Sequence, residues 1–235
     1  MRATVTPERN VVTLEDPVEV ELPGLTQVPV DEKTGMTFAR GLRALLRQDP
    51  DVVLVGEVRD TVTAELAMRA AMTGHLVLTT LHTNDAVAAM PRLVDMGIEP
   101  YLVASALTLV VAQRLVRTPC PDCAEPYEPD PATLLALGLE PDDVARLKDA
   151  GATPTRGVGC VRCGRSGYLG RRGLFEVLEV TADLRRALLT GTDEAAVADL
   201  AHRHGYVPLR EGGLALAHRG ETTYEEVLRV TRATI

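Results

Sequence analysis

A chain of 235 residues, 46% of them hydrophobic, has room for one large globular domain or two modest ones. Its net charge of −8 and its 3% aromatic content, without tryptophan, argue against a nucleic-acid partner, which needs a basic face or a stacking platform. The longest uncharged apolar run, Tyr101 to Ala112, is too short for a transmembrane segment, and the N-terminus lacks the apolar stretch of an export signal.

In chain order, the first element is the apolar run Val11 to Leu14, closed by Glu15-Asp16-Pro17. Proline stops its continuation as a central strand and leaves two carboxylates at its carboxyl end. Val18 to Asp31 alternates weakly and carries Pro23-Gly24 and Pro29, which suits an edge hairpin or an extended loop. Thr37 is placed to cap a helix from Phe38 to about Gln48, stopped by Asp49-Pro50. Phe38, Leu42, Leu45 and Leu46 share one face of it, and Arg40, Arg43 and Arg47 share another.

The run Val52 to Val55, apolar without alternation, reads as a strand buried on both faces of a parallel sheet. It ends in Gly56, where backbone or ligand can approach, and then in Glu57. Ligands of open α/β sheets collect at that edge. A carboxylate there can hold a water on Mg²⁺ or polarise an attacking water. It can equally be an ordinary N-cap acid following a buried strand.

Asp60 or Thr61 caps an alanine-rich helix to Met72, ended by Gly74. A third buried strand, Leu76 to Leu78, leads into Thr79, Thr80 and His82, while His75 lies at its amino end, away from the expected site. Asn84 or Asp85 starts a helix to about Met96, with Pro91 as its kink or its true start. Glu99-Pro100 opens a buried helix to about Gln113. Strand and helix in alternation predict an α/β fold around a parallel sheet.

Composition changes at Thr118, so two domains are expected, residues 1–117 and 118–235. The second holds short helical segments at Ala132 to Leu137 and Pro141 to Ala150, a glycine-rich return, and a strand from Leu174 to Val180. Helices then follow with caps at Thr181, at Thr192 or Asp193, and at Thr222 or Thr223. Cys120-x₂-Cys123 and Cys160-x₂-Cys163 offer four thiolates on two tight turns, the tetrahedral S₄ set that Zn²⁺ accepts. Such a site keeps no open position, so its zinc is structural. Two disulfides or four unrelated thiols are the other readings, and the absence of an export signal disfavours disulfides.

Three strand ends thus offer Glu15 with Asp16, Glu57, and Thr80 with His82 to one crevice. A P-loop needs Gly-x₄-Gly-Lys, and neither lysine of the chain, Lys33 or Lys148, sits in that pattern. The residues alone leave a truncated ATPase and a non-nucleotide protein both open.

Four segments then occur in one order: Val-Thr-Leu-Glu-Asp-Pro-Val-Glu19, Phe-Ala-Arg-Gly-Leu-Arg-Ala-Leu-Leu-Arg-Gln-Asp-Pro-Asp51, Val-Gly-Glu-Val-Arg-Asp60 and Thr-Gly-His-Leu-Val-Leu-Thr-Thr-Leu-His82. Together they resemble the signatures of the ATPases of type II secretion and type IV pilus assembly, the GspE/PilB-like group. The resemblance implies a RecA-like P-loop NTPase core followed by a mainly helical C-terminal domain with a tetracysteine zinc module. It makes Glu15 the catalytic glutamate of an Asp box with Asp16 beside it, Gly56 and Glu57 part of an atypical Walker B motif, and His75 and His82 members of a His box. Thr80 is then expected at the nucleotide. The shared helix face of Arg40, Arg43 and Arg47, which leads into the strand ending in Glu57, is either a solvated basic face or one from which at least one arginine reaches nucleotide phosphate or an acidic surface on the neighbouring subunit.

The resemblance further implies ATP with Mg²⁺ as substrate, and a homohexameric ring peripheral to the cytoplasmic face of the inner membrane. Membrane-platform and cytoplasmic adaptor proteins are the implied partners there. The family's Walker A loop and regulatory domains lie upstream of the matching region. The chain is therefore expected to be the C-terminal part of such an ATPase, inactive by itself. The alternative is a non-catalytic zinc-containing module that docks to the membrane platform.

Overall fold

A computed structural model describes residues 5–6, 8–140, 143, 153–191 and 194–232. Its strands are β1 (Val11–Glu15), β2 (Thr26–Pro29), β3 (Val52–Val55), β4 (Leu76–Thr79), β5 (Leu109–Pro119), β6 (Ala124–Pro126), β7 (Thr155–Gly157) and β8 (Tyr168–Glu179). Its helices are α1 (Phe38–Leu45), α2 (Thr61–Met72), α3 (Ala89–Asp95), α4 (Pro100–Ala106), α5 (Pro131–Ala136), α6 (Ala182–Leu189), α7 (Glu194–Arg203), α8 (Leu209–His218) and α9 (Tyr224–Thr231). Two compact units result, one of residues 1–83, 87–110 and 179–201, the other of 84–86, 111–178 and 202–235. Residue 118, the expected domain boundary, falls within β5.

The first unit is built on a four-stranded sheet in the order β2-β1-β3-β4. All its pairs are parallel, and the register sets Leu14 beside Val55 and Val55 beside Thr79. Parallel pairing needs crossovers, and the caps that start the helices of those crossovers are in place. Thr37 Oγ1 accepts the Arg40 N–H at the head of α1, and Asp60 accepts the Thr63 N–H at the head of α2. The leucine face of α1 closes over the sheet, so Leu42, Phe38, Leu14, Val53 and Val55 are buried together with Ala67 of α2. Gly41 belongs to this contact, since a Cβ there would lie 2.6 Å from Leu14 Cδ1. Below the second crossover, Met68, Leu93, Ile98, Leu102 and Val103 make a further core.

Several elements differ from the sequence expectations, each for a tertiary reason. β2 forms neither a hairpin nor a loop but a parallel edge strand, beginning at Thr26 after ten intervening residues that follow the end of β1 at Glu15. β4 is the opposite edge among the described residues, so Leu76 is 47% exposed where burial on both faces was expected. The helix expected to reach Gln113 stops at Ala106, and Leu107 is already extended. The following residues alternate exposed and half-buried as β5 and pair with β8, a partner some sixty residues downstream that no local window contains. β8 itself starts at Tyr168, earlier than the expected Leu174. The expected helix at Pro141 to Ala150 and the cap at Thr192 or Asp193 lie outside the described residues.

In the second unit, β6 and β7 pair antiparallel, and β5 pairs with β8. Tyr224 and Val227 of α9 bury against Leu134, Leu137 and Ala217. Thr223, one of the two expected caps, accepts the Glu226 N–H. No helix among the described residues is long and apolar enough to cross a membrane.

Candidate functional site

The parallel register decides what meets at the carboxyl edge of the first sheet. One residue beyond the aligned positions Leu14, Val55 and Thr79 come Glu15, Gly56 and Thr80. The Gly56 N–H donates to Leu14 O at 2.8 Å, and Thr80 Oγ1 donates to Gly56 O at 2.7 Å, so three strand ends are laced into one rim. A Cβ at Gly56 would sit 3.0 Å from Leu14 O and 3.4 Å from Glu15 Cα, so glycine is what lets the β3 end press against the Glu15 backbone.

Glu57 stands on that rim with a different partner on each oxygen. Arg59 Nη2 donates to Oε1 at 2.6 Å, and His82 Nε2 lies 3.1 Å from Oε2. The Arg59 hydrogen bond first, and the His82 one next, hold the Glu57 carboxyl below the usual carboxylate range. A carboxylate only accepts, so the second contact requires the proton on His82 Nε2. Arg59 Nη1 also reaches Asp16 Oδ2 at 3.6 Å, bridging the ends of β1 and β3. Glu15, half-buried, accepts at Oε1 from Thr13 Oγ1 at 2.5 Å and from Gln27 Nε2 at 3.0 Å.

Glu15, Asp16, Gly56, Glu57, Thr80 and His82 therefore share one edge. His75 does not join them. It lies at the other end of β4, where its Nδ1 is 3.0 Å from Ala70 O and 3.2 Å from Thr73 Oγ1, closing the C-terminus of α2. Arg40 and Arg43 are exposed on α1 and Arg47 on the 3₁₀ turn Leu46–Gln48 that follows it; Arg40 donates to Gly35 O and Arg47 to Arg43 O. Arg59 and Gln27 were not singled out from the sequence. Arg59 had a signal, a cation two residues after Glu57 just past a strand end; Gln27 had none.

In the second unit, Cys120, Cys123, Cys160 and Cys163 bring all four sulfurs within 4.8 Å of one another. The Sγ–Sγ distances Cys120–Cys160, Cys123–Cys163 and Cys160–Cys163 are 3.9, 4.0 and 3.8 Å. They match the edge of about 3.8 Å that a tetrahedron of zinc–sulfur bonds of ~2.3 Å would have, and they are far from a disulfide. The Gly159 N–H points at Cys123 Sγ and the Cys160 N–H at Cys163 Sγ, as thiolate ligands require. The Cys160 N–H leads the effects that draw the Cys163 thiol down to about 6, while desolvation leads those that push Cys123 up to about 12. Four sulfurs this close cannot all be anionic without a cation, so the donor set fits a divalent soft metal. Gly164 takes the left-handed conformation expected of a metal knuckle, with φ +59°, and Arg162 bonds Asp122 at 2.7 Å across the two knuckles. Among the described residues, this is the one group of three or more His, Cys, Asp or Glu side chains close enough together to hold a metal.

Comparison with known proteins agrees over nearly the whole chain. The family described as Type II/IV secretion system protein matches residues 1–229. The type IV pilus assembly ATPase PilB of Thermus thermophilus is 48% identical over 98% of this chain, which spans 25% of that protein. Type II secretion system protein E of Pectobacterium carotovorum is 48% identical over 96% of this chain, which spans 43% of it. Among solved structures, the pilus retraction motor PilT with bound ADP superposes with a TM-score of 0.66 at 25% identity, over 96% of this chain and 53% of that one. The chain thus corresponds to less than half the length of those curated relatives, and it belongs to the type II/IV secretion system protein family.

Proposed function

We propose that this chain is the C-terminal part of a motor ATPase that hydrolyses Mg-ATP to drive assembly of a type II secretion pseudopilus or a type IV pilus. The observation that supports this most is the meeting of Glu15 and Glu57 on adjacent strand ends of a parallel sheet, in a chain 48% identical to a pilus assembly ATPase. ATP, when bound, supplies the phosphoryl group that water attacks.

In this reading Glu15 is the base that orients the attacking water and accepts its proton. Glu57, held anionic by Arg59 and His82, orients water on the magnesium, and Asp16 and Thr80 complete the polar rim. One of the exposed residues Arg40 and Arg43 on α1 and Arg47 on the turn after it reaches nucleotide phosphate or an acidic surface on a neighbouring subunit within a hexamer. His75 supports the rim from the far end of β4 instead of touching substrate. The four cysteines hold one structural zinc. The assembled motor works on the cytoplasmic side of the inner membrane, against platform and adaptor proteins.

A second reading, a docking module without turnover, draws on the lack of a Gly-x₄-Gly-Lys loop in these residues. Calorimetry with Mg-ATP separates the two. The 235-residue chain alone is expected to show no micromolar binding, and a parent polypeptide carrying the loop upstream is expected to bind and turn over ATP. A parent that binds no nucleotide would leave only the docking role.

A further inference from the structure

We propose that Gln27 is the positioning residue of Glu15: its side-chain amide, fixed by the loop after β1, sets the orientation of the Glu15 carboxylate. The inference builds on the catalytic role proposed above for Glu15. Gln27 lies on β2 in register with Thr13 of β1, and Thr13 and Glu15, two residues apart, point to the same face of the sheet. Three side chains of one face therefore converge at the strand end.

The Gln27 amide makes three bonds. Nε2 donates to Glu15 Oε1 at 3.0 Å and to Val20 O at 3.1 Å, while Oε1 accepts the Leu22 N–H at 2.7 Å. An amide fits either way round by shape, but these partners admit one choice. A backbone N–H only donates, and a carbonyl and a carboxylate only accept. All three bonds exist only with the nitrogen toward Glu15.

Thr13 Oγ1 loads the same carboxylate oxygen, so both donors fall on Oε1. Oε2 has no donor among the described residues. That asymmetry is what a base acting on water needs: one oxygen anchored, the other presented. The loop itself has little else to hold it. Between Pro17 and Leu25 its one internal backbone bond among the described residues is Leu25 N–H to Leu22 O, at 3.4 Å. It borders an open crevice of about 750 Å³ whose walls include Leu22, Leu25 and Gln27. Gln27 thus ties the loop to the sheet and Glu15 to the loop, so a displacement of the loop releases the carboxylate.

The test uses the 235-residue chain with ¹³C-labelled glutamate and reads Glu15 rotamer populations from three-bond couplings, with Glu57 as the internal reference. Gln27→Met keeps the length and removes the donor; Gln27→Glu keeps the shape and sets a carboxylate against Glu15. One dominant Glu15 rotamer is expected in the unsubstituted chain and averaging over several in both variants, with Glu57 unchanged. In the parent ATPase, Gln27→Met should lower kcat on the order of tenfold and leave KM for ATP unaltered, the split expected when a catalytic group is merely misplaced. Averaging of Glu15 in the unsubstituted chain, or one rotamer retained in both variants, overturns the proposal. If Glu15→Gln leaves turnover of the parent intact, the assignment of Glu15 as base fails instead, and the rotamer measurement still decides the role of Gln27.

Discussion

Two carboxylates, Glu226 in the second unit and Glu57 in the first, are both held by arginine, and the two units use that pairing in opposite ways. Glu226 is 1% exposed, and both of its oxygens are taken. Burial works against its charge, but Arg229 Nε and Nη2, each at 2.8 Å, and the Arg117 guanidinium and N–H outweigh it and hold the group at about 2. Arg117 lies 4.1 Å over the Tyr168 ring, and Tyr168 OH meets Thr223 Oγ1 at 2.9 Å, so the pair ties β5, β8 and α9 together. Glu57 has one partner per oxygen and is 19% exposed, and His82 beside it is 85% exposed. A closed network fixes structure. An open one at a sheet's carboxyl edge keeps acceptors available to a ligand, which is the difference expected between a scaffold and the site proposed above.

Metal removal is expected to have the largest effect, and it sharpens the contrast because only the second unit depends on it. Structural zinc in such thiolate sites contributes on the order of 10 kcal/mol or more of apparent binding energy. Elemental analysis should find one zinc per chain, and Cys160→Ser should unfold mainly the second unit. Reduced, folded protein with no zinc would break the assignment.

Next in size is the closed network. Glu226→Gln keeps the shape but strands two guanidinium groups, and it should cost about 2–4 kcal/mol in denaturant unfolding. The sign with pH follows from the lowered pKa. The unfolded chain binds the proton near the ordinary 4.5 and the folded one only near 2, so the contribution of Glu226 is whole above about pH 4.5 and disappears as pH falls to about 2. That window is worth roughly 3 kcal/mol. A variant as stable as the parent protein across it would show that the network is incidental.

Much of the first sheet and of its carboxyl edge was legible in the sequence, the contrast between the two networks was not, and the illegible part has a physical cause. The strand Val52–Val55, the caps at Thr37 and Asp60 and the paired Cys-x₂-Cys turns are local patterns, and the fold keeps them. The convergence of Glu15, Glu57 and Thr80 followed from the rule that parallel strands end together. What escaped depends on distant partners. β5 looked helical because its apolar residues find β8 far downstream, and Leu76 looked buried because its strand order was unknown. Gln27 and Glu226 carry no signature at all, since an amide or an acid acquires its role only from what the fold sets beside it.

The smallest stability effect belongs to the open network. Arg59→Ala and His82→Ala should leave the melting temperature of the 235-residue chain essentially unchanged, because exposed pairs are screened by solvent. Both should nonetheless impair turnover in the parent, Arg59→Ala more, because it is the first of the two groups that keep Glu57 anionic. A large drop in melting temperature for either would place this cluster with the scaffold.

In the function proposed above the open edge does the chemistry, with Glu15 as its base. Glu15→Gln in the parent ATPase tests it directly, by turnover and nucleotide affinity measured on the same preparation. The amide keeps the shape but cannot take the water's proton, so the predicted result is retained Mg-ATP binding with turnover lowered by roughly 10²–10⁴. Turnover at the unsubstituted rate would rule Glu15 out as the base and move that role elsewhere, to Asp16 first.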